Sequence, residues 1–245
     1  MTRLNFFYLA LFALSFGFTS CDDDDAINIT PTTFTVTVEN VSTPNTVATD
    51  RAMGTVPLSP PVWAVSDEDD DPMFEVGEKA NLGTERIAED GFPDEMLAIL
   101  SADNEVKASG AAPSPGGPDN GPALFAGESS SFTFTARPGD KLQFETMFVQ
   151  SNDWFYAFND GGLELFDDNT PKTGDFTGNV VVYDAGTEQD TAPGTGPDQK
   201  PVQEASATNV GPDEDEDIEL AAGRHPGFTI PAGNRVIRVT VTPAG

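Results

Sequence analysis

Residues 131–147 constrain the chain most. Ser131-Phe132-Thr133-Phe134-Thr135-Ala136 alternates polar and apolar side chains, and Lys141-Leu142-Gln143-Phe144-Glu145-Thr146-Met147 resumes the alternation. A period of two sends successive side chains to opposite faces of a strand. Arg137-Pro138-Gly139-Asp140 between them places Pro and Gly in a four-residue reversal, a turn signature. The pattern predicts an antiparallel hairpin. Residues 33–38 alternate in the same way and read as a half-buried strand. Residues 62–65, 154–158 and 179–183 are apolar runs of strand length, and 236–241 reads as the last strand, placed to pair near the first. Residues 163–166 read as a short strand or a turn. The fold class that follows is all-β and antiparallel.

Helical patterning is confined to one region. Residues 78–89 carry Ala80, Leu82, Ile87 and Ala88 among polar residues, and Asp90-Gly91 breaks the pattern. Pro93 with Asp94 and Glu95 then opens a second helix, because Pro suits the first turn and acids suit its positive end. Met96, Leu97 and Leu100 supply its buried stripe. The two helices read as a cap on a sandwich. Residues 40–61, 108–121 and 187–218 read as loops rich in Pro, Gly, Thr or acids. The last is long for a compact domain and is expected to be functional, mobile or both.

The N-terminus reads as an export signal. Arg3 precedes the apolar stretch 4–18, which is short for a membrane span. Phe18-Thr19-Ser20-Cys21 resembles a bacterial lipoprotein cleavage box, which implies removal of residues 1–20 and lipidation of Cys21. Cys21 is the only Cys, so it has no partner for an internal disulfide. Asp22 to Asp25 follow, and a Cys with acids behind it resembles the export signal of surface lipoproteins. The expected organisation is a signal over 1–20, an acidic tether over 21–32 and one β-sandwich domain over 33–243. The expected location is the outer membrane, surface-exposed, with a periplasmic or secreted protein as the alternative.

The charge balance excludes partners. With 41 acidic and 12 basic residues the net charge is −29, a field that repels nucleic acid and anionic lipid. Contact with a membrane is therefore expected only through the lipid anchor. One His and one Cys leave little for Ser-His or Cys-His catalysis or a zinc site, and no Gly-rich phosphate loop joins a strand to a helix. The chain is read as lacking catalytic activity. A carboxylate pair remains formally open.

Two turns stand apart from the other acids. Asp153 lies just before the 154–158 strand, in Ser151-Asn152-Asp153-Trp154-Phe155. Asp184 ends the 179–183 strand, in Tyr183-Asp184-Ala185-Gly186-Thr187-Glu188. Asp153, Asp184 and Glu188 would form a three-acid half-shell for a hard cation, which takes six to eight oxygen ligands. The plainer reading is that Asp153 and Asp184 cap turns. The acidic run 66–71 reads as a solvated loop, with a second, weaker cation site as its alternative. His225 reads as a surface residue of a loop.

At these residues the chain resembles the spondin N-terminal domain family. The resemblance rests on Gly127-Glu128 with 132–135 and Pro138-Gly139-Asp140, on 147–155, on 182–188, and on the helical patch with Leu82, Glu85, Ile87, Ala88, Glu89 and Asp90. It covers about 33–243. It implies a C2-like antiparallel β-sandwich holding one divalent cation, usually Ca²⁺, on Asp153, Asp184 and Glu188. Glu188 stands where animal members have Asp, Gln150 where they have Pro, and Tyr183 where they have Trp. Their disulfides and thrombospondin-type repeats have no counterpart. These departures leave the family's partners untransferred, and the reading for this chain is a cell-surface or secreted Ca²⁺-binding adhesion or recognition module for an extracellular protein or glycan. The alternative is a structural envelope or matrix protein in which the cation is only a staple.

Overall fold

The computed structural model describes residues 30–115, 123–159 and 161–244. The signal 1–20, Cys21 and most of the tether lie outside the described residues. β1 (Thr32–Asn40) and β2 (Val62–Asp67) precede helices α1 (Leu82–Asp90) and α2 (Asp94–Ala102). β3 (Ala108–Ala111), β4 (Ser129–Ala136), β5 (Asp140–Met147) and β6 (Trp154–Phe158) follow. Next come the two-residue strands β7 (Leu163–Glu164), β8 (Phe166–Asp167), β9 (Thr170–Pro171) and β10 (Gly174–Asp175). β11 (Val180–Asp184), β12 (Glu219–Leu220), the short helix α3 (Ala221–Arg224) and β13 (Ile237–Pro243) complete the chain. One sheet has the order β10-β13-β1-β4. The larger has the order β12-β11-β6-β5-β2-β3, with β7 also on β5. All these pairings are antiparallel, and the first and last long strands are neighbours, Val36 lying opposite Val241. The fold is an antiparallel β-sandwich, as the sequence patterns imply.

The predicted hairpin is corrected. Both of its strands form, but they belong to different sheets. β4 pairs with β1, Phe134 opposite Phe34, and β5 pairs with β2, Leu142 opposite Val65. Residues 137–139 make the corner between the layers, with the Arg137 N–H donating to Asp140 Oδ2 at 2.7 Å. Alternation states that one face of each strand is buried. Two sheets packed face to face satisfy that as well as one hairpin does.

The larger sheet is buried on both faces. Its inner residues, among them Trp63, Phe144, Tyr156, Phe158 and Val182, pack with Phe34, Phe132, Phe134 and Val239 of the smaller sheet. Trp63 stacks on Phe132 with centroids 5.1 Å apart. Its outer residues, among them Ala64, Phe155, Ala157 and Tyr183, pack with Ile87, Met96 and Leu100 of the helices. Burial on two faces explains why β6 reads Trp-Phe-Tyr-Ala-Phe without alternation.

The helices fall near their predicted places. α1 starts at Leu82 rather than 78, because the Asn81 side chain accepts the Gly83 and Thr84 N–H groups and fixes the cap there. α2 carries Asp94 and Glu95 in its first turn. The expected loop 108–121 is corrected at its start, where β3 pairs with β2 and Gly110 lies opposite Trp63. Among the described residues, no helix is long and apolar enough to cross a membrane.

Under α1, Glu145 of β5 is fully buried. Its Oε1 meets the Thr84 hydroxyl at 3.1 Å, and its Oε2 has no hydrogen-bond partner among the described residues. Burial pushes its carboxyl up to about 8, because desolvation disfavours the charged form. An acid whose pKa is raised by folding contributes stability that is fully present below its unfolded value. That contribution is lost as pH rises through the folded value. Glu145→Gln keeps the shape and removes the titration. Chemical denaturation at pH 5 and pH 9 should show the variant gaining on the parent at pH 9 by a few kcal/mol. Each tenfold difference in proton affinity between the folded and unfolded carboxyl is worth about 1.4 kcal/mol.

Candidate metal centre

The two turns singled out in the sequence meet at one end of the larger sheet. β6 and β11 are neighbours, with Trp154 opposite Asp184. This register sets Asp153 and Asp184 side by side where both strands reach the loops, and the Ala185 N–H donates to the Asp153 carbonyl at 3.1 Å. The Ser151 hydroxyl shapes the first turn, donating to the Phe148 carbonyl at 2.6 Å and accepting the Trp154 N–H at 3.0 Å.

Consecutive residues of that turn then seize the loop after β11. Asp153 Oδ2 accepts the N–H groups of Thr187 (2.7 Å) and Glu188 (3.1 Å). The Asn152 amide donates to Glu188 Oε1 at 2.9 Å, and its carbonyl accepts the Thr191 N–H at 3.0 Å. Trp154 Nε1 donates to Asp190 Oδ2 at 2.6 Å. Gly186 allows the tight step: its φ is +69°, and a Cβ there would meet the Glu216 carbonyl at 2.6 Å. Gly211 makes room for the Glu188 carboxylate, since a Cβ would fall 1.9 Å from its Oε1.

The expected long loop 187–218 returns alongside its own start. Glu214 N donates to the Thr187 carbonyl and Glu216 N to the Gly186 carbonyl. The chain then pairs as β12 on β11, Leu220 opposite Tyr183, and α3 delivers Arg224 and His225 over the strand ends. Arg224 Nε lies 3.2 Å from Asp184 Oδ2 and 3.3 Å from Glu219 Oε1. His225 Nε2 lies 2.7 Å from Asp184 Oδ2 and 2.6 Å from Asp190 Oδ2.

Carboxylates outnumber cations here, and several oxygens lack partners. Asp153, Asp184 and Glu188 are all buried. Asp153 Oδ1, Glu188 Oε2, Asp190 Oδ1 and both Glu89 oxygens have no hydrogen-bond partner among the described residues. Burial first, then the charge of Asp184, pushes the Asp153 carboxyl well up, against the N–H groups of Glu188 and Thr187. Burial and the Asp153 charge push Asp190 up as well. Glu188 rises to about 8 through burial, opposed by the Asn152 amide and raised further by Glu89. Glu89, on α1, rises to about 7 for the same leading reason, with the Thr187 side chain pulling the other way.

Asp153 and Asp184 are thus brought together. Glu188 reaches Asp153 through its main chain, while its carboxylate turns toward Asn152. The three side chains whose ligand atoms lie within 4.8 Å of one another are Asp184, Asp190 and His225. Sequence patterns assign Asp190 and Glu89 no ligand role and read His225 as a surface residue, which the structure corrects: its side chain is largely buried against Asp184 and Asp190. His225 is the only His of the chain, and its ring lies between Trp154 and Phe228, with centroids 5.7 and 4.9 Å away. A lone His ahead of a Pro-Gly-Phe turn was the one signal available.

The acidic run 66–71 is different in kind. Asp67, Asp70 and Glu105 also approach within 4.8 Å, but Asp67 is exposed and paired with Lys107, and Asp71 pairs with Lys141 at 2.7 Å. Compared with known proteins, the chain matches no family model and no curated protein.

Proposed function

We propose that this chain is a divalent-cation-binding recognition module of a bacterial cell surface, without catalytic activity. The observation that carries the reading is a buried group of carboxylates with oxygens unpartnered among the described residues, faced by fewer basic side chains: Arg224 and His225 at Asp184, and Arg86 at Glu89. Burying such a group without a compensating charge is costly. An oxygen-rich, acid-dominated donor set suits a hard cation, and Ca²⁺ is the ion that the spondin resemblance implies. The Asp184 and Asp190 carboxylates, with the unpartnered Asp153 Oδ1, would hold it; the Glu188 carboxylate, turned toward Asn152, stands outside that group.

A bound cation would neutralise the acids and hold together the loops starting at residues 148, 185 and 213. Ordered loops at one end of a rigid sandwich make a recognition surface for an extracellular protein or glycan. A second reading has its own support. Asp153 and Asp184 are wholly buried, so the ion would sit inside the fold and act as a staple in an envelope or matrix protein. In either case Cys21 would carry the lipid that tethers the chain, with the carboxylates of residues 22–25 holding it off the membrane.

Calcium at about a hundredfold excess over its dissociation constant adds about 2.7 kcal/mol. For a chain of this size that raises Tm by roughly 5–10 °C. Differential scanning calorimetry should show this rise in the parent, its reversal by chelator, and its absence in Asp184→Asn. A parent melting curve indifferent to Ca²⁺ would overturn the Ca²⁺ reading. Partner binding that persists in chelator would favour the staple. Radiolabelled palmitate fed to expressing bacteria should enter the parent and not Cys21→Ser; equal labelling would exclude Cys21 as the anchor.

A further inference from the structure

We infer that Asp184, Asp190 and His225 form a seat for a borderline divalent cation of the first transition series, Zn²⁺, Co²⁺ or Cu²⁺, held through two carboxylate oxygens and one imidazole nitrogen. This rests on the reading that this end of the sandwich takes a divalent cation, and it adds an ion class that the three acids alone would not select.

The imidazole is the distinguishing donor. Ca²⁺ takes oxygen ligands, whereas imidazole suits Zn²⁺ and its neighbours. His225 presents Nε2 to both Asp184 Oδ2 and Asp190 Oδ2, at 2.7 and 2.6 Å. Its ring is fixed by stacking on Phe228 at an interplanar angle of 12° and on Trp154 at 27°. Its main chain is fixed too, with its N–H donating to the Ala221 carbonyl and its carbonyl accepting the Phe228 N–H.

The carboxylates are oriented in turn. Trp154 Nε1 donates to Asp190 Oδ2 and the Gly186 N–H to Asp184 Oδ1, the kind of outer support that aims a ligand at a metal. An independent sign points to a missing partner. The Asp190 side chain is 1 % exposed, and its Oδ1 has no hydrogen-bond partner among the described residues. Asp153 Oδ1 is in the same condition.

An ion between these donors replaces the direct imidazole–carboxylate contacts. Metal–ligand bonds of about 2.1 Å place neighbouring donors roughly 3 Å or more apart. The opening required is therefore a fraction of an ångström, within the swing of Asp side chains. Arg224 does not have to leave. Its Nε also meets Glu219 Oε1 at 3.3 Å, so it stays paired when Asp184 turns to the ion.

The test uses the full chain, with Zn²⁺ alone and Ca²⁺ alone as probes in separate calorimetric titrations of the parent and His225→Gln. Loss of the nitrogen ligand should weaken Zn²⁺ by about tenfold or more and leave Ca²⁺ within about threefold. Zn²⁺ affinity unchanged by the substitution would overturn the inference and leave the Ca²⁺ reading standing. No binding of either ion to the parent would overturn both. Pulsed electron paramagnetic resonance of the Cu²⁺-loaded parent guards against a folding defect in the variant. A ¹⁴N coupling from a directly bound imidazole is expected, and its absence would overturn the inference.

Discussion

The bonds received by one carboxylate oxygen, Asp153 Oδ2, hold the acid-rich end of the sandwich in place. It accepts two consecutive N–H groups, from Thr187 and Glu188, and so fixes the direction in which the chain leaves β11. Everything after that step depends on it. Asn152 and Trp154 on either side catch Glu188, Thr191 and Asp190, and the returning segment 213–217 lies along the fixed strand. A carboxylate suits this task because it accepts several bonds from N–H groups that would otherwise be buried unpaired. The same choice leaves its other oxygen, Oδ1, buried without a hydrogen-bond partner among the described residues.

The arrangement needs a stiff support, and the larger sheet supplies it. β6 and β11 are packed from one side by the aromatic core and from the other by α1 and α2. A strand buried on both faces has little freedom to shift register, since a slip of one residue would exchange Trp154 with Phe155 between two different packings. The ends of these strands therefore present Asp153 and Asp184 at a fixed separation. α1 takes part directly, because its packing brings Glu89 beneath the Thr187 turn. The helices thus cap the outer face, as their sequence implies, and also complete the acid-rich interior.

Much of this was legible in the sequence, and the failures share a cause. Strand positions, the helix pair, the closing strand beside the first, and the two acidic turns at strand ends all follow from local periodicity and turn chemistry. Which strand pairs with which does not. The alternation in 131–147 reports buried faces, and those faces lie in opposite sheets, so a corner was read as a hairpin. β3 was missed because Ala, Ser and Gly carry a loop signature, although small residues also suit a strand lying beside Trp63. Asp190 and His225 were missed because their role is set by contact across the fold. Asp184 and His225 are 41 residues apart, and only the pairing of β12 on β11 brings them together.

The concentration of buried acids is hard to explain as turn capping alone. A capping Asp needs one oxygen and solvent for the other, as Asp175 shows by accepting the Thr177 N–H at an open surface. Asp153, Glu188 and Asp190 instead each spend one oxygen on hydrogen bonds at this end and hold the other buried, without a protein donor among the described residues. Mutual repulsion and desolvation act on all of them together, and Arg224 and His225 reach Asp184 and Asp190 but leave Asp153 Oδ1 and Glu188 Oε2 unmatched. A structure that gathers charge in this way would be stabilised by whatever neutralises it, and a small cation would do so while bonding several of those oxygens at once.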